Sequence, residues 1–130
     1  MNILYKNSEL ALTYQHERVF LTDKLNSILY EEEFYGNASC GLIDSENKWV
    51  LIGGEHLTIW TKERISIIKS DEFQWIHSLR TNSKNTVEIL TDPWYARSAI
   101  WHLNTSTLDL MKIRDFPDYR DQQYTDTIEW

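Results

Sequence analysis

The sequence predicts an all-β protein of antiparallel sheets, arranged either as an open part, about half, of a β-propeller or as a β-sandwich. A similar stretch recurs about every 40 residues, a period typical of four-stranded propeller blades. The clearest copies are Leu57–Thr61 and Ser98–His102, and a fainter one is Arg18–Thr22. A chain of 130 residues has room for about three such units, whereas closed propellers need about four to eight.

Short runs of β-branched and aromatic residues, separated by polar turns, predict a strand series along the whole chain. In order, these strands are Asn2–Tyr5, Ala11–Tyr14, Arg18–Thr22, Asn26–Tyr35, Ser39–Asp44, Trp49–Gly53, Leu57–Thr61, Ile65–Lys69, Phe73–Arg80, Val87–Thr91, Arg97–Leu103 and Leu108–Arg114. Apolar residues fall on both faces of several strands, as expected for sheets that pack in a stack. Asp71–Arg80 is the best helix candidate, although its apolar residues have mixed spacing.

Composition favours one domain, residues 1–130, in a reducing compartment. Cys40 is the single cysteine, and its apolar surroundings predict a small buried hydrophobe rather than a nucleophile. The N-terminus shows no apolar signal segment, and the strongest apolar run, 49–54, is too short to span a bilayer. We therefore expect a cytoplasmic protein with no membrane partner. Gly53 and Gly54 are expected to form a tight hairpin turn.

The chain is acidic, with a formal net charge of −7. Nucleic acids bind through Lys and Arg, so a nucleic-acid partner is disfavoured, whereas charge complementarity favours a basic protein. Much of the charge lies in an aromatic segment, 115–130, which contains Asp115, Asp118 and Tyr119. A disordered acidic tail would be poorer in aromatic residues, so we expect this segment to be partly docked.

No residue pattern predicts an enzyme, a cofactor or a metal site. The four histidines lack the spacing of metal ligands. The Gly53-Gly54 pair is not part of a phosphate-binding loop, and no nucleophile motif is present. We therefore expect function to come from the surface.

The triplet Glu31, Glu32 and Glu33 is the most concentrated acidic feature. It is either a solvated strand edge, kept charged to prevent edge-to-edge pairing, or a docking patch for a basic partner. On a strand, Glu31 and Glu33 share one face and Glu32 points to the other.

A second candidate is the loop that begins with Asp92 and contains Trp94 and Tyr95. Trp and Tyr are enriched at binding hot spots. Alternatively, Trp94 folds back and caps the core. The remaining candidates for partner contact are Tyr35, Asp71, Glu72, Asp115, Asp118 and Tyr119.

Four consecutive runs in the middle of the chain, Cys40–Asp44, Lys48–Gly54, Glu55–Thr61 and Arg64–Lys69, resemble the four antiparallel strands of one propeller blade. In its small size, acidity and strand content, the whole chain resembles bacterial immunity proteins of contact-dependent growth inhibition and related polymorphic toxin systems. That resemblance implies a protein that neutralises a cognate basic toxin, such as an RNase, by covering its active site. It implies no cofactor and a monomer in the complex.

Two rival functions remain open. The chain could be a non-catalytic adaptor that completes a sheet with another subunit, which self-association would reveal. It could instead be a small hydrolase that uses a carboxylate with His56 or His102, for which a pocket with converging side chains would be needed.

Overall fold

The computed structural model describes residues 2–130 and contains twelve strands in three antiparallel sheets. Each sheet is a meander, in which strands that follow one another in the chain are hydrogen-bonded neighbours. Sheet 1 contains β1 (Asn2–Lys6), β2 (Leu10–Gln15), β3 (Arg18–Asp23) and β4 (Ile28–Glu33). Sheet 2 contains β5 (Cys40–Ile43), β6 (Val50–Gly53), β7 (Leu57–Trp60) and β8 (Ile65–Ile68). Sheet 3 contains β9 (Ile76–Ser83), β10 (Thr86–Thr91), β11 (Ala99–Asn104) and β12 (Leu110–Asp115).

This topology confirms the predicted all-β fold of three blade-like units. Each of the three repeated stretches contributes one matching residue, namely Leu21, Trp60 and Trp101. These residues lie on β3, β7 and β11, the third strand of each sheet. All three side chains are buried, because Leu21 and Trp60 pack in the core between sheets 1 and 2 and Trp101 packs in the core between sheets 2 and 3.

Two apolar cores hold the sheets together. The first lies between sheets 1 and 2 and includes Leu12, Leu21 and Ile52. The second lies between sheets 2 and 3 and includes Leu51 and Ile89. Sheet 2 therefore has an apolar face on each side, which explains why β6 and β7 are buried along their whole length.

The outer face of sheet 3 is covered by the segment 116–130. Leu90, Ile100 and Phe116 are buried there, and Ile128 and Trp130 pack against them. The prediction of a partly docked tail is confirmed, although the segment forms no strand.

The prediction for 71–80 is corrected. These residues form no helix, and the strand expected from Phe73 begins only at Ile76. Trp75 adopts a left-handed φ of 57°, which interrupts the extended backbone just before β9. Phe73 instead packs edge-on against Trp101, with ring centroids 5.1 Å apart.

The glycine pair is also placed differently from the prediction. Gly53 is the last residue of β6, and the turn is made by residues 54–56, where the Gly54 amide donates to the His56 carbonyl (3.0 Å). A Cβ on Gly53 would lie 2.7 Å from Cys40 Sγ and 2.7 Å from Ile76 Cγ2. Glycine is needed at this position because sheets 2 and 3 approach closely.

The connections between strands alternate between two ends of the structure. One end, the connection face, consists of 16–17, 34–39, 54–56, 69–75, 92–98 and 116–130. The other end, the hairpin face, consists of 7–9, 24–27, 44–49, 61–64, 84–85 and 105–109. Within residues 2–130, no helix has the length and apolar character needed to cross a membrane.

Candidate functional site

Charge is distributed unequally between the two faces. The segments of the connection face contain nine acidic and three basic residues, whereas those of the hairpin face contain five of each. Four of the nine acidic residues belong to segment 116–130, which also covers the outer face of sheet 3. The other five segments of the connection face contain five acidic and two basic residues, so the acidic excess remains at this end of the fold.

Backbone hydrogen bonds join the loops of the connection face into one surface. The Ile76 amide donates to the Gly54 carbonyl (2.7 Å), and the Trp75 amide donates to the Glu55 carbonyl (3.0 Å). The Asp92 amide in turn donates to the Trp75 carbonyl (2.8 Å). Loops of sheets 2 and 3 are thus held in a fixed arrangement that would cost little ordering entropy on binding.

Aromatic side chains gather on the same face. Tyr35 meets the edge of Trp75 with ring centroids 6.4 Å apart. Trp94 packs on Tyr124 at 4.9 Å and on Tyr119 at 6.4 Å. Tyr35 and Tyr124 are 74% and 70% exposed, and aromatic residues are enriched among the hot spots of protein interfaces.

The backbone of Trp75 supports a functional reading of this cluster. A bulky residue with φ of 57° costs about 1–3 kcal/mol and persists only where the surrounding structure holds it. Here the two hydrogen bonds to Glu55 and Asp92 hold it and leave the indole 40% exposed. Trp75 lies inside the predicted strand Phe73–Arg80, and its left-handed, exposed position corrects that part of the prediction.

A cavity of about 310 Å³ opens at the centre of the cluster. Its walls include Trp75, His77, Trp94 and Tyr124, and Asp92 supplies a carboxylate. Aromatic walls with one charged group are the usual composition of a specific ligand pocket.

The polar groups of the cavity are only partly engaged. Asp92 Oδ1 accepts the backbone amide of Trp94 (3.0 Å). His77 Nδ1 lies 2.7 Å from Ser78 Oγ, and burial lowers the pKa of His77 although the nearby Asp92 opposes this. His77 is therefore neutral at neutral pH, and Asp92 is the one charged side chain in the cavity wall.

The connection face carries most of the residues that the sequence suggested for partner contact. Those on this face are Tyr35, Asp71, Glu72, Asp92, Trp94, Tyr95, Asp118 and Tyr119. Asp71, Glu72 and Asp118 are exposed, and Tyr95 is 45% exposed. Trp94 is partly buried. Its Nε1 is buried without a hydrogen-bond partner, as the core-capping interpretation expects for the inner part of the ring, and the remaining exposed part is open to contact.

Asp115 and the glutamate triplet lie elsewhere. Asp115 ends β12 and pairs with Lys112 at 2.6 Å. Glu31 and Glu33 are exposed on β4, where Glu31 pairs with Arg18 at 3.2 Å.

Glu32 does not belong to the docking patch predicted for the glutamate triplet, and that prediction is corrected. Its side chain points into the junction of sheets 1 and 2, where Oε2 lies 2.6 Å from His56 Nε2. Its Oε1 accepts hydrogen bonds from Thr58 (2.7 Å) and Tyr30 (2.8 Å). Burial raises the pKa of Glu32, but these hydrogen bonds outweigh it and hold the pKa below its usual value. The carboxylate is already satisfied and is not available to a partner.

A larger groove, about 890 Å³, lies on the hairpin face. Its lining comes from polar turns and mixes the acidic Asp44, Glu46 and Glu63 with the basic Lys48 and Lys84. It lacks the charge excess and the exposed aromatic cluster of the connection face, and we regard it as a gap between turns. Among residues 2–130, no three His, Cys, Asp or Glu side chains are placed to hold a metal ion.

Comparison with known proteins supports the architecture. No protein-family model and no curated protein matches the chain. Among solved structures, it is similar to the WD40 β-propeller domain of Doa1, with a TM-score of 0.55 and 7% sequence identity. The fold is propeller-like. The match covers 82% of this chain and 36% of that structure, so the chain spans about a third of its length.

Trp75, His77 and Tyr124 were missed by the sequence-based choice of site residues. No local signal marks His77, because its neighbours in the cavity come from other loops. The exposure of Trp75 follows from a left-handed backbone that its neighbours in sequence do not indicate. Tyr124 was noticeable only as one of several aromatic residues in the acidic tail.

Proposed function

We propose that this chain is a protein-binding module whose connection face binds a basic protein. The observation that carries the proposal is the coincidence, on one end of the fold, of the acidic excess with the exposed aromatic cluster. Acidic side chains would steer a basic partner and select it over acidic proteins. Trp75, Trp94 and Tyr35 would then supply the anchors that exclude water.

The propeller-like architecture fits this role. The three sheets described here enclose no central channel. The surfaces available for recognition are therefore the two loop faces and the edge strands of the sheets. A standard interface buries about 1,600 Å² in total, so a contact of this size would involve several loop segments of the connection face. The similarity to a WD40 domain concerns the fold, and the function rests on the residues of this chain.

A more specific form of the proposal is immunity to a toxin. In that form, the basic partner is a nuclease domain, and carboxylates such as Asp71 and Glu72 pair with the cationic residues that normally hold its phosphate substrate. Inhibition would be steric and electrostatic. The acidity of the connection face supports this form, since nuclease active sites must attract polyanions.

The adaptor role remains the second candidate, favoured by the outer strands. β8 and β12 are edge strands that expose Ile67 (58%) and Met111 (64%). Exposed apolar edges can pair with a strand of another subunit. This contact would use the strand edges rather than the connection face.

Co-expression with the product of the adjacent upstream gene tests the proposal. Rescue of growth and co-purification at moderate salt are expected if the chain is an immunity protein. Co-purification without toxicity or rescue would support binding without immunity. If no complex forms, and the chain alone self-associates in proportion to its concentration, the adaptor role replaces the proposed one. A variant with Ile67→Lys and Met111→Lys separates the two, because it should abolish strand pairing and leave binding through the connection face unchanged.

A further inference from the structure

The cavity of the connection face has the features of a receptor for one cationic side chain. Trp75, Trp94 and Tyr124 line it together with Asp92 and smaller residues such as Ser39 and Gly54. Cations are attracted to the faces of such rings, most strongly to Trp. The volume, about 310 Å³, suits a single side chain better than a folded element.

Asp92 is charged and has no cationic partner of its own. Among residues 2–130, every ion pair that involves Lys or Arg lies outside the cavity wall. Asp92 Oδ1 accepts one amide, from Trp94, which leaves Oδ2 and a second lone pair on Oδ1 for a ligand.

We propose that this cavity binds an arginine side chain of the partner, with the guanidinium against the aromatic walls and paired to Asp92; this inference rests on the proposed function. Arginine fits better than lysine for two reasons. Its planar group stacks on rings and pairs with both oxygens of a carboxylate. It is also more weakly hydrated than an ammonium group, so entering an apolar cavity costs less.

The support around the cavity is rigid, as a receptor requires. The backbone of Trp75 is held by hydrogen bonds to Glu55 and Asp92, and its ring meets Tyr35. Trp94 is held between His77, at 5.8 Å, and Tyr124, at 4.9 Å. Because the rings already have defined positions, binding would require little rearrangement.

Nuclear magnetic resonance of the tryptophan side chains provides a direct test. The chain has six tryptophans, and the indole N–H signals of Trp75 and Trp94 can be assigned with Trp75→Phe and Trp94→Phe variants. The probes are the N-acetyl methylamides of arginine, lysine and citrulline. Citrulline has nearly the same shape as arginine but no charge. We expect the arginine probe to shift the signals of Trp75 and Trp94 and to bind about tenfold more tightly than citrulline.

Two variants show whether Asp92 is responsible. Asp92→Asn keeps the oxygen that accepts the Trp94 amide and removes the charge, so it should weaken arginine binding about tenfold. Asp121→Asn removes the same charge from an exposed residue outside the cavity, and should leave binding nearly unchanged. Equal losses in the two variants, or equal binding of arginine and citrulline, would overturn the inference. Tighter binding of lysine than of arginine would overturn the choice of guanidinium.

The same variants separate this inference from the proposed function. If the co-expressed partner binds Asp92→Asn as tightly as the unmodified chain, the cavity is not an arginine receptor for that partner, and protein binding stands. If the partner binds neither the unmodified chain nor Asp92→Asn, the proposed function fails with that partner. The probe titration alone then decides whether the cavity accepts arginine.

Discussion

His56 Nε2 lies 2.6 Å from Glu32 Oε2, and this contact joins the turn between β6 and β7 to β4, an edge strand of sheet 1. The imidazole also stacks on Phe34, with centroids 4.3 Å apart and planes inclined by 6°. Both side chains of the pair are 12% exposed. A charged hydrogen-bond network thus connects sheets 1 and 2 beside the apolar core between them.

Replacing Glu32 by glutamine should destabilise the fold. The variant removes the acceptor charge while His56, Thr58 and Tyr30 remain in place, and a partly buried network that loses its charged member costs about 1–3 kcal/mol. Chemical denaturation at neutral pH measures this change. Glu31→Gln is the matched control, since Glu31 is an exposed neighbour whose pair with Arg18 contributes at most about 1 kcal/mol. Equal effects of the two substitutions would show that the network does not stabilise the sheet junction.

The Glu32 contribution should depend on pH in a defined direction. Its pKa in the folded state lies below the usual value, so the stabilisation is complete above the unfolded pKa of about 4.3. It is lost as the pH falls below that value and through the folded pKa. The difference in unfolding free energy between the unmodified chain and Glu32→Gln should therefore shrink as the pH falls below about 5. A difference that grows on acidification would contradict this assignment.

The glutamate triplet shows what the sequence could and could not provide. Strand alternation correctly places Glu31 and Glu33 on one face and Glu32 on the other. It contains no information about what the other face meets, because Thr58 and His56 come from the next sheet. Reversing the charge of all three residues together would therefore mix a binding effect with the loss of a structural network.

The fold was more predictable than the site because different physical rules govern them. Strands follow from local alternation and turn chemistry, so the repeat anchored at Leu21, Trp60 and Trp101 gave the correct sheets. The cavity is assembled from loops of sheets 2 and 3 and from the tail. It depends on the left-handed backbone of Trp75, which is fixed by tertiary hydrogen bonds rather than by local sequence preference.

Gly53→Ala should test the close approach of sheets 2 and 3. The added methyl would lie 2.7 Å from both Cys40 Sγ and Ile76 Cγ2, and relieving such overlap in a packed interior costs about 1–3 kcal/mol. Thermal unfolding should show a lower midpoint for the variant. Cys40→Ala as a control should lose less, since it removes a single sulfur atom beside Gly53 and adds no atom to the packed interior. An unchanged midpoint for Gly53→Ala would mean that the sheets separate easily.

Cys40 should react slowly with alkylating reagents in the folded protein. Burial of the thiol raises its pKa to about 12, although Ser39 opposes this effect, and the thiolate is the reactive form. The residue is partly exposed as a whole, but its sulfur faces the Gly53 backbone. Iodoacetamide at about pH 8 should therefore modify the native protein far more slowly than the denatured protein. Similar rates in the two states would contradict the buried position of the sulfur.

The docked tail should be sensitive to Trp130. Arg80 stacks over its ring at 3.8 Å and donates a hydrogen bond to its carbonyl oxygen. Trp130→Ala should cost about 1–2 kcal/mol and increase proteolysis within 117–130. Glu129→Ala serves as the control, because that side chain is exposed and the hydrogen bond to Tyr119 uses the Glu129 backbone amide. Protection that is unchanged by Trp130→Ala would show that other contacts hold the tail.

Charge reversal on opposite faces decides where a basic partner approaches. Asp71→Lys with Glu72→Lys reverses two exposed charges on the connection face, and Glu46→Lys with Glu63→Lys does the same on the hairpin face. Both double variants have the same net charge, so a difference between them reports position rather than total charge.

At low salt, association with the partner should slow about tenfold for the first pair and much less for the second, because steering depends on charges near the encounter surface. The first pair should also flatten the salt dependence of the association rate, which stopped-flow fluorescence can follow. Equal slowing by both pairs would indicate attraction by the net charge of the chain, and slowing only by the hairpin-face pair would move the binding site to the opposite end of the fold.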